Sequence, residues 1–219
     1  MKEECNLSIK VVSRLPVTRR GKPSETSRLG MDYLKNCIFV GESEFDINMR
    51  RSRGWSPRGS KSITETPSTK ATSHTVLGAI SAIGVVNMKL RVWKFEEKEG
   101  KHYLQFISDT MNIMDEFSEM KGYFIIMDNA PIHVPEIIDP IIMQRGYTSV
   151  YLPPYSPELK LIAQFWSIIK AKLRRTKLSD IETLITRIIE ASEAVPIVHL
   201  ENIIQHSVNQ FEKCQNSQK

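Results

Sequence analysis

Cysteine is scarce in this chain. Cys5, Cys37 and Cys214 lie far apart, and no Cys-x-x-Cys pair exists. That excludes a paired-cysteine zinc site and a disulfide-framed secreted domain, and it argues for reduced thiols in an intracellular compartment. There is also no run of about 18 apolar residues, so no membrane-spanning helix is expected. The first residues, Met1-Lys-Glu-Glu-Cys5, lack the apolar core of a signal peptide. Internal repeats are absent as well. What remains, over 219 residues at 41% hydrophobic and 25% charged, is the composition of a soluble globular protein with one sizeable domain.

Charge of one sign is only mildly in excess: 30 Lys and Arg against 25 Asp and Glu give a net +5. Its distribution is more informative. Arg50, Arg51, Arg53, Arg58 and Lys61 form an acid-free stretch, and Lys170, Lys172, Arg174, Arg175 and Lys177 form a second. Clusters of this kind suit a phosphate backbone, for which affinity is largely electrostatic. A solvated basic face is the plainer reading of charge alone.

Apolar patterning divides the chain into a polar tail over 1–35, a domain over 36–177 and helices over 178–219 that pack on it. A strand is predicted from Cys37-Ile-Phe-Val40 through Phe45 and Ile47, and a second over Met49 to Trp55. A Ser- and Thr-rich loop follows over Gly59 to His74. Val76 to Ile83 and Met88 to Lys94 read as a hairpin about Gly84. His102 to Met120 has helical spacing, with Leu104, Ile107, Met111, Met114 and Phe117 on one side. Tyr123 to Asp128 reads as a buried strand, Pro135 to Arg145 as a helix ended by Gly146, and Thr148 to Leu152 as another strand. Ile162 to Arg175 is an amphipathic helix. Ser179-Asp-Ile-Glu182 is a capping box opening a further helix, and a last one is expected over Ile197 to Cys214. The order predicts an α/β fold, a mixed sheet flanked by helices. Trp55 and Trp166 are expected in the core or at helix contacts, not as base-stacking platforms.

The chemistry centres on Asp128, a carboxylate delivered at the end of the apolar run Tyr123-Phe-Ile-Ile-Met. A lone strand-end Asp is more often a turn residue than a ligand. Its surroundings decide otherwise. Met127-Asp-Asn-Ala-Pro-Ile-His133 is followed by Tyr151-Leu-Pro-Pro-Tyr-Ser-Pro-Glu-Leu159 and Gln164-Phe-Trp-Ser-Ile-Ile-Lys170, and preceded by Arg50-Arg-Ser-Arg-Gly-Trp-Ser-Pro-Arg-Gly59. Over residues 36–177 these motifs closely resemble the catalytic domain of the mariner-like (Tc-mariner superfamily) DDE transposases. That resemblance implies an RNase H-like fold, and DNA excision and integration by three carboxylates holding magnesium or manganese. It also implies DNA as partner, a dimeric assembly and a nuclear location. In that chemistry a pair of metal ions activates the attacking oxygen and stabilises the leaving one.

Carried over residue by residue, the resemblance supplies only one ligand. The second family carboxylate matches Asp128. The third falls in a stretch that here reads Ser156-Pro-Glu-Leu-Lys-Leu-Ile-Ala163, and the 34 residues between Asp128 and Ala163 (129–162) are the spacing of the glutamate subgroup. Ala163 stands where that Glu belongs. The first falls in Phe39-Val-Gly41-Glu42-Ser-Glu-Phe45, where Gly41 stands for the Asp. In a strand Glu42 and Glu44 point away from the Gly41 face, so only a bulge would bring Glu42 round. Glu158 precedes the helix. One carboxylate holds magnesium poorly, because that ion gives up its waters reluctantly.

The expectation is a catalytically inactive transposase-type domain without bound metal that retains DNA binding. Two alternatives stay open: an active site rearranged around Asp128 with Glu42 or Glu158, and a non-catalytic module that pairs with an intact transposase. The family's helix-turn-helix modules precede its catalytic domain. About 35 residues before the first strand are too few for one, so recognition of specific DNA ends is not expected.

Overall fold

A computed structural model describes residues 30–49, 55–63, 65, 73–91, 99–128, 135–152, 161–175 and 180–216. Three strands form an antiparallel meander: β1 (Cys37–Phe45), β2 (His74–Ser81) and β3 (Gly84–Arg91). Helix α1 (Glu99–Asp115) then crosses over to β4 (Phe124–Met127), which pairs parallel to β1. Helix α2 (Pro135–Gln144) leads to β5 (Thr148–Tyr151), parallel to β4. The sheet order is β3-β2-β1-β4-β5. Helices α3 (Leu161–Leu173), α4 (Ile181–Glu193) and α5 (Ile197–Asn216) complete the chain. The mixed sheet flanked by helices is the architecture that the patterning predicts.

Side-chain alternation along β1 sorts the core into two layers. Cys37, Phe39 and Phe45 join one cluster with α3, α4 and α5, while Ile38 and Val40 join another with α1 and α2. All four residues of β4 are buried, as a central strand covered on both faces requires. On α1, Tyr103, Phe106, Ile107, Met111 and Met114 are buried at helical spacing. Arg145 ties the end of α2 to α1 through Asp115 (2.6 Å) and Asn112 (2.7 Å). The hydroxyl of Tyr147 donates to the same Asp115 at 2.6 Å.

Several expectations need correction. The helix ends at Asp115, so Phe117 leaves the apolar stripe and is 47% exposed. The strand expected over Met49 to Trp55 has no counterpart at its two described ends, and residues 50–54 lie outside the described residues. Instead Asp46 closes β1, its carboxylate accepting from the Asn48 N–H at 2.6 Å in an Asx turn. The second strand of the hairpin starts at Gly84, directly after a turn at Ala82 and Ile83, not at Met88. The cap of α4 is Asp180, one residue later than expected. Its extended backbone lets the carboxylate accept from the Thr183 N–H at 2.7 Å.

Candidate active site

Strand register brings the first two candidate positions together. Phe39 pairs with Ile126 across β1 and β4, so two residues further on Gly41 and Asp128 stand at the same level. Strand β4 stops at Met127, whereas β1 continues to Phe45 against β2. Asp128 therefore leaves the carboxyl end of a central strand beside the middle of its neighbour. The first turn of α3 supplies the third position. Gly41, Asp128 and Ala163 all line one pocket of about 60 Å³. Positions separated by more than a hundred residues thus converge on one cleft, with Ala163 exposed on its α3 side.

The remaining walls are mainly apolar: Phe39, Ile126, Leu152, Leu161 and Ile162. Among the described residues Glu42 is the one other carboxylate in the lining. It follows Gly41 on β1, pairs with Leu77 of β2 and is exposed. Strand alternation directs it to the α1 face, together with Ile38 and Val40. Burial, and after it the charges of Asp128, Tyr151 and Glu42, push the hydroxyl of Tyr103 well above its ordinary value. Tyr103 of α1 is thus a buried neighbour of both carboxylates. Sequence reasoning missed it because a tyrosine on an apolar helix stripe reads as core.

Among the described residues no group of three or more His, Cys, Asp or Glu is placed to hold a metal ion. Glu158 and His133 lie outside the described residues. Space differs sharply between the two positions that lack a carboxylate. Ala163 is exposed, so a longer side chain there has room. A Cβ at Gly41 would lie 2.6 Å from the Cγ2 methyl of Ile162, closer than real Cβ contacts come.

The basic candidates divide by environment. Arg50, Arg51 and Arg53 lie outside the described residues, while Arg58 and Lys61 are exposed on the segment between β1 and β2. Trp55 of the same segment, expected in the core, is 103% exposed. The described turn of that segment is held by Ser60 Oγ donating to the Pro57 carbonyl at 2.6 Å and Ser56 Oγ donating to the Ser60 carbonyl at 3.0 Å. Trp166, by contrast, is buried as expected and meets Phe45 edge-on, at 5.6 Å between ring centroids and 76°.

At the far end of α3, Lys170 sits over the Phe45 ring, 5.2 Å from its centroid. Burial, and after it nearby Arg174, push its ammonium below its ordinary value, against the pull of Glu44 and Asp46. Lys172 donates to the carbonyls of Ala194 (2.8 Å) and Ala191 (3.4 Å), the C-terminal end of α4. Arg174 and Arg175 are exposed. At about 1.5 Å rise per residue they stand roughly 16 Å along the helix from Ala163. Among the described residues no helix is long and apolar enough to cross a membrane.

Comparison with known proteins agrees with this geometry. The profile of the family described as "DDE superfamily endonuclease" matches residues 36–185. No curated protein sequence matches the chain. Among solved structures, the Mos1 strand transfer complex superposes with a TM-score of 0.78 at 17% identity, covering 98% of this chain and 67% of that one. The Mos1 mariner paired-end complex with Mn gives 0.76 at 17%, covering 95% and 66%. The catalytic domain of Mos1 mariner transposase gives 0.69 at 15%, covering 95% and 97%. The chain thus spans about two thirds of the longer transposase chains and nearly all of the separate catalytic domain. It belongs to the DDE superfamily endonucleases, with the RNase H-like fold of a mariner-type transposase catalytic domain.

Proposed function

We propose that this chain is a DDE transposase-type domain of mobile-element origin that has lost catalysis and retains binding to the DNA backbone. One observation carries the reading. Three positions converge on one pocket at the end of β4, and only Asp128 among them bears a carboxylate. The residues present do not fit the divalent ions found with the Mos1 structures. Hard cations need several oxygen ligands. Among the described residues the pocket offers Asp128 and, from the opposite face of β1, Glu42, with apolar side chains elsewhere.

Glu42 gives the rearranged-site alternative its one favourable observation, since it shares the pocket lining with Asp128. Its position on the α1 face sets it against forming a site with a group on α3. DNA binding is supported by the exposed Arg58, Lys61, Arg174 and Arg175. The family's use of DNA adds to that support.

A gel shift on random duplex DNA across a salt series, paired with manganese-dependent nicking of supercoiled plasmid, tests both halves. The reading expects salt-sensitive binding without nicking. Nicking abolished by Asp128→Asn overturns the loss of catalysis, and no shift at about 50 mM salt, where phosphate contacts are strong, overturns the binding.

A further inference from the structure

Two glycines lie directly opposite one another in the register of β1 and β2, Gly41 and Gly78. Cross-strand partners of an antiparallel pair share a face, and this face is the one that α3 covers. Each glycine is filled from above by a different α3 side chain. A Cβ at Gly41 would stand 2.6 Å from Ile162 Cγ2, and one at Gly78 would stand 2.6 Å from Trp166 Cζ2 and 2.8 Å from Cη2. Ile162 and Trp166 are four apart, one above the other on the same side of the helix. Neither glycine is among those with positive φ. Their requirement is therefore room and not backbone conformation.

We infer that position 41 has changed from a ligand position to a helix seat: Gly41 and Gly78 form one bare notch across β1 and β2 into which Ile162 and Trp166 lock α3. Without a side chain at 41, α3 lies close enough that its β-branched methyl fills the space a ligand's Cβ would take. The methyl is attached directly to Cβ and has no flexible stem with which to withdraw. A carboxylate at 41 and the observed seating of α3 exclude one another. A carboxylate at 163 faces no such conflict, because Ala163 is exposed. The two missing ligands are consequently unequal: one is a vacancy, the other has been built over. Restoring the carboxylates by Gly41→Asp with Ala163→Glu would unseat α3 before it created a metal site.

The seat is a matter of packing, so it stands or falls separately from the loss of catalysis. Its test is a thermal-unfolding cycle on the whole chain with Gly41→Ala, Ile162→Ala and their combination, beside Ala163→Glu. Gly41→Ala is expected to lower Tm by about 3–10 °C, the range for overpacking in a domain of this size. In the Ile162→Ala background the same substitution is expected to cost less than about half as much. Ala163→Glu is expected to stay within about 2 °C of the parent, as exposed substitutions do. Equal costs of Gly41→Ala in both backgrounds contradict the seat, and so does a destabilisation by Ala163→Glu matching that by Gly41→Ala. If Gly41→Ala alone does not fold, a cooperative transition recovered by adding Ile162→Ala supports the seat, and no recovery contradicts it.

Discussion

Gly41 of β1 and Asp128, the residue after β4, line the same pocket two residues beyond the Phe39–Ile126 pair, one without a side chain and one with a carboxylate. That pairing concentrates the functional question in a small space. In the proposed reading the frame that brings ligands together is kept and the ligands are not. Its consequences can be measured at several points.

Trp166 is the larger of the two α3 residues that stand over the paired glycines, and its ring occupies the room above Gly78. Gly78→Ala is expected to destabilise the fold by about 1–3 kcal/mol, the usual cost of forcing extra atoms into a packed core. Trp166→Ala, which empties the site, is expected to cost about 3–5 kcal/mol. Urea denaturation measures both. A Gly78→Ala variant as stable as the parent would show that β2 and α3 separate more easily than their close approach implies.

The basic residues at the end of α3 should separate into structural and DNA-binding groups. Lys172 is engaged with the last carbonyls of α4. Lys172→Met should therefore cost about 0.3–1 kcal/mol of stability and leave DNA affinity nearly unchanged. Arg174→Ala and Arg175→Ala should do the reverse. Removing a charge that neutralises one phosphate makes the slope of log affinity against log salt shallower by about 0.9. Fluorescence anisotropy on random duplex DNA across a salt series reads that slope directly.

Alkaline pH should weaken the fold through Tyr147. Burial, and after it the hydrogen bond to Asp115, push its hydroxyl up to about 12 from an ordinary 10.0. The folded chain keeps a proton that the unfolded chain gives up. The stability from this group is therefore complete below about pH 10 and lost as pH rises through about 12. Tyr147→Phe should make the urea midpoint fall less steeply over that interval, because its unfolded state has one fewer proton to release. An unchanged slope contradicts the assignment. Tyr103 and Tyr151, also shifted upward, keep some dependence in place.

Most of the architecture was legible because strands and helices here keep simple periods. The run Phe124–Met127 is apolar throughout and is buried throughout. The α3 stripe of Phe165, Trp166 and Ile169 falls on the core as its spacing requires. The convergence of Gly41, Asp128 and Ala163 was legible only through the family motifs, since neither period nor composition relates strands so distant in sequence. Trp55 failed as a core residue because burial of a tryptophan depends on an element to lie against, and Trp55 itself lies in no strand or helix. The capping residue of α4 was misplaced by one, because Ser179 and Asp180 are both good cap residues and only backbone geometry chooses between them. The glycine notch carried a readable signal, a glycine inside a strand. Its meaning depends on which residue packs above it, and that is a property of α3.

Calorimetric titration of the intact chain with manganese tests the central claim most directly, since a DDE frame that has lost its ligands should no longer hold the ion its chemistry needs. The expected result is no saturable binding below millimolar concentration, in the parent and in Asp128→Asn alike. Micromolar binding in the parent that disappears in Asp128→Asn would contradict the account and return this domain to the metal-dependent nucleases.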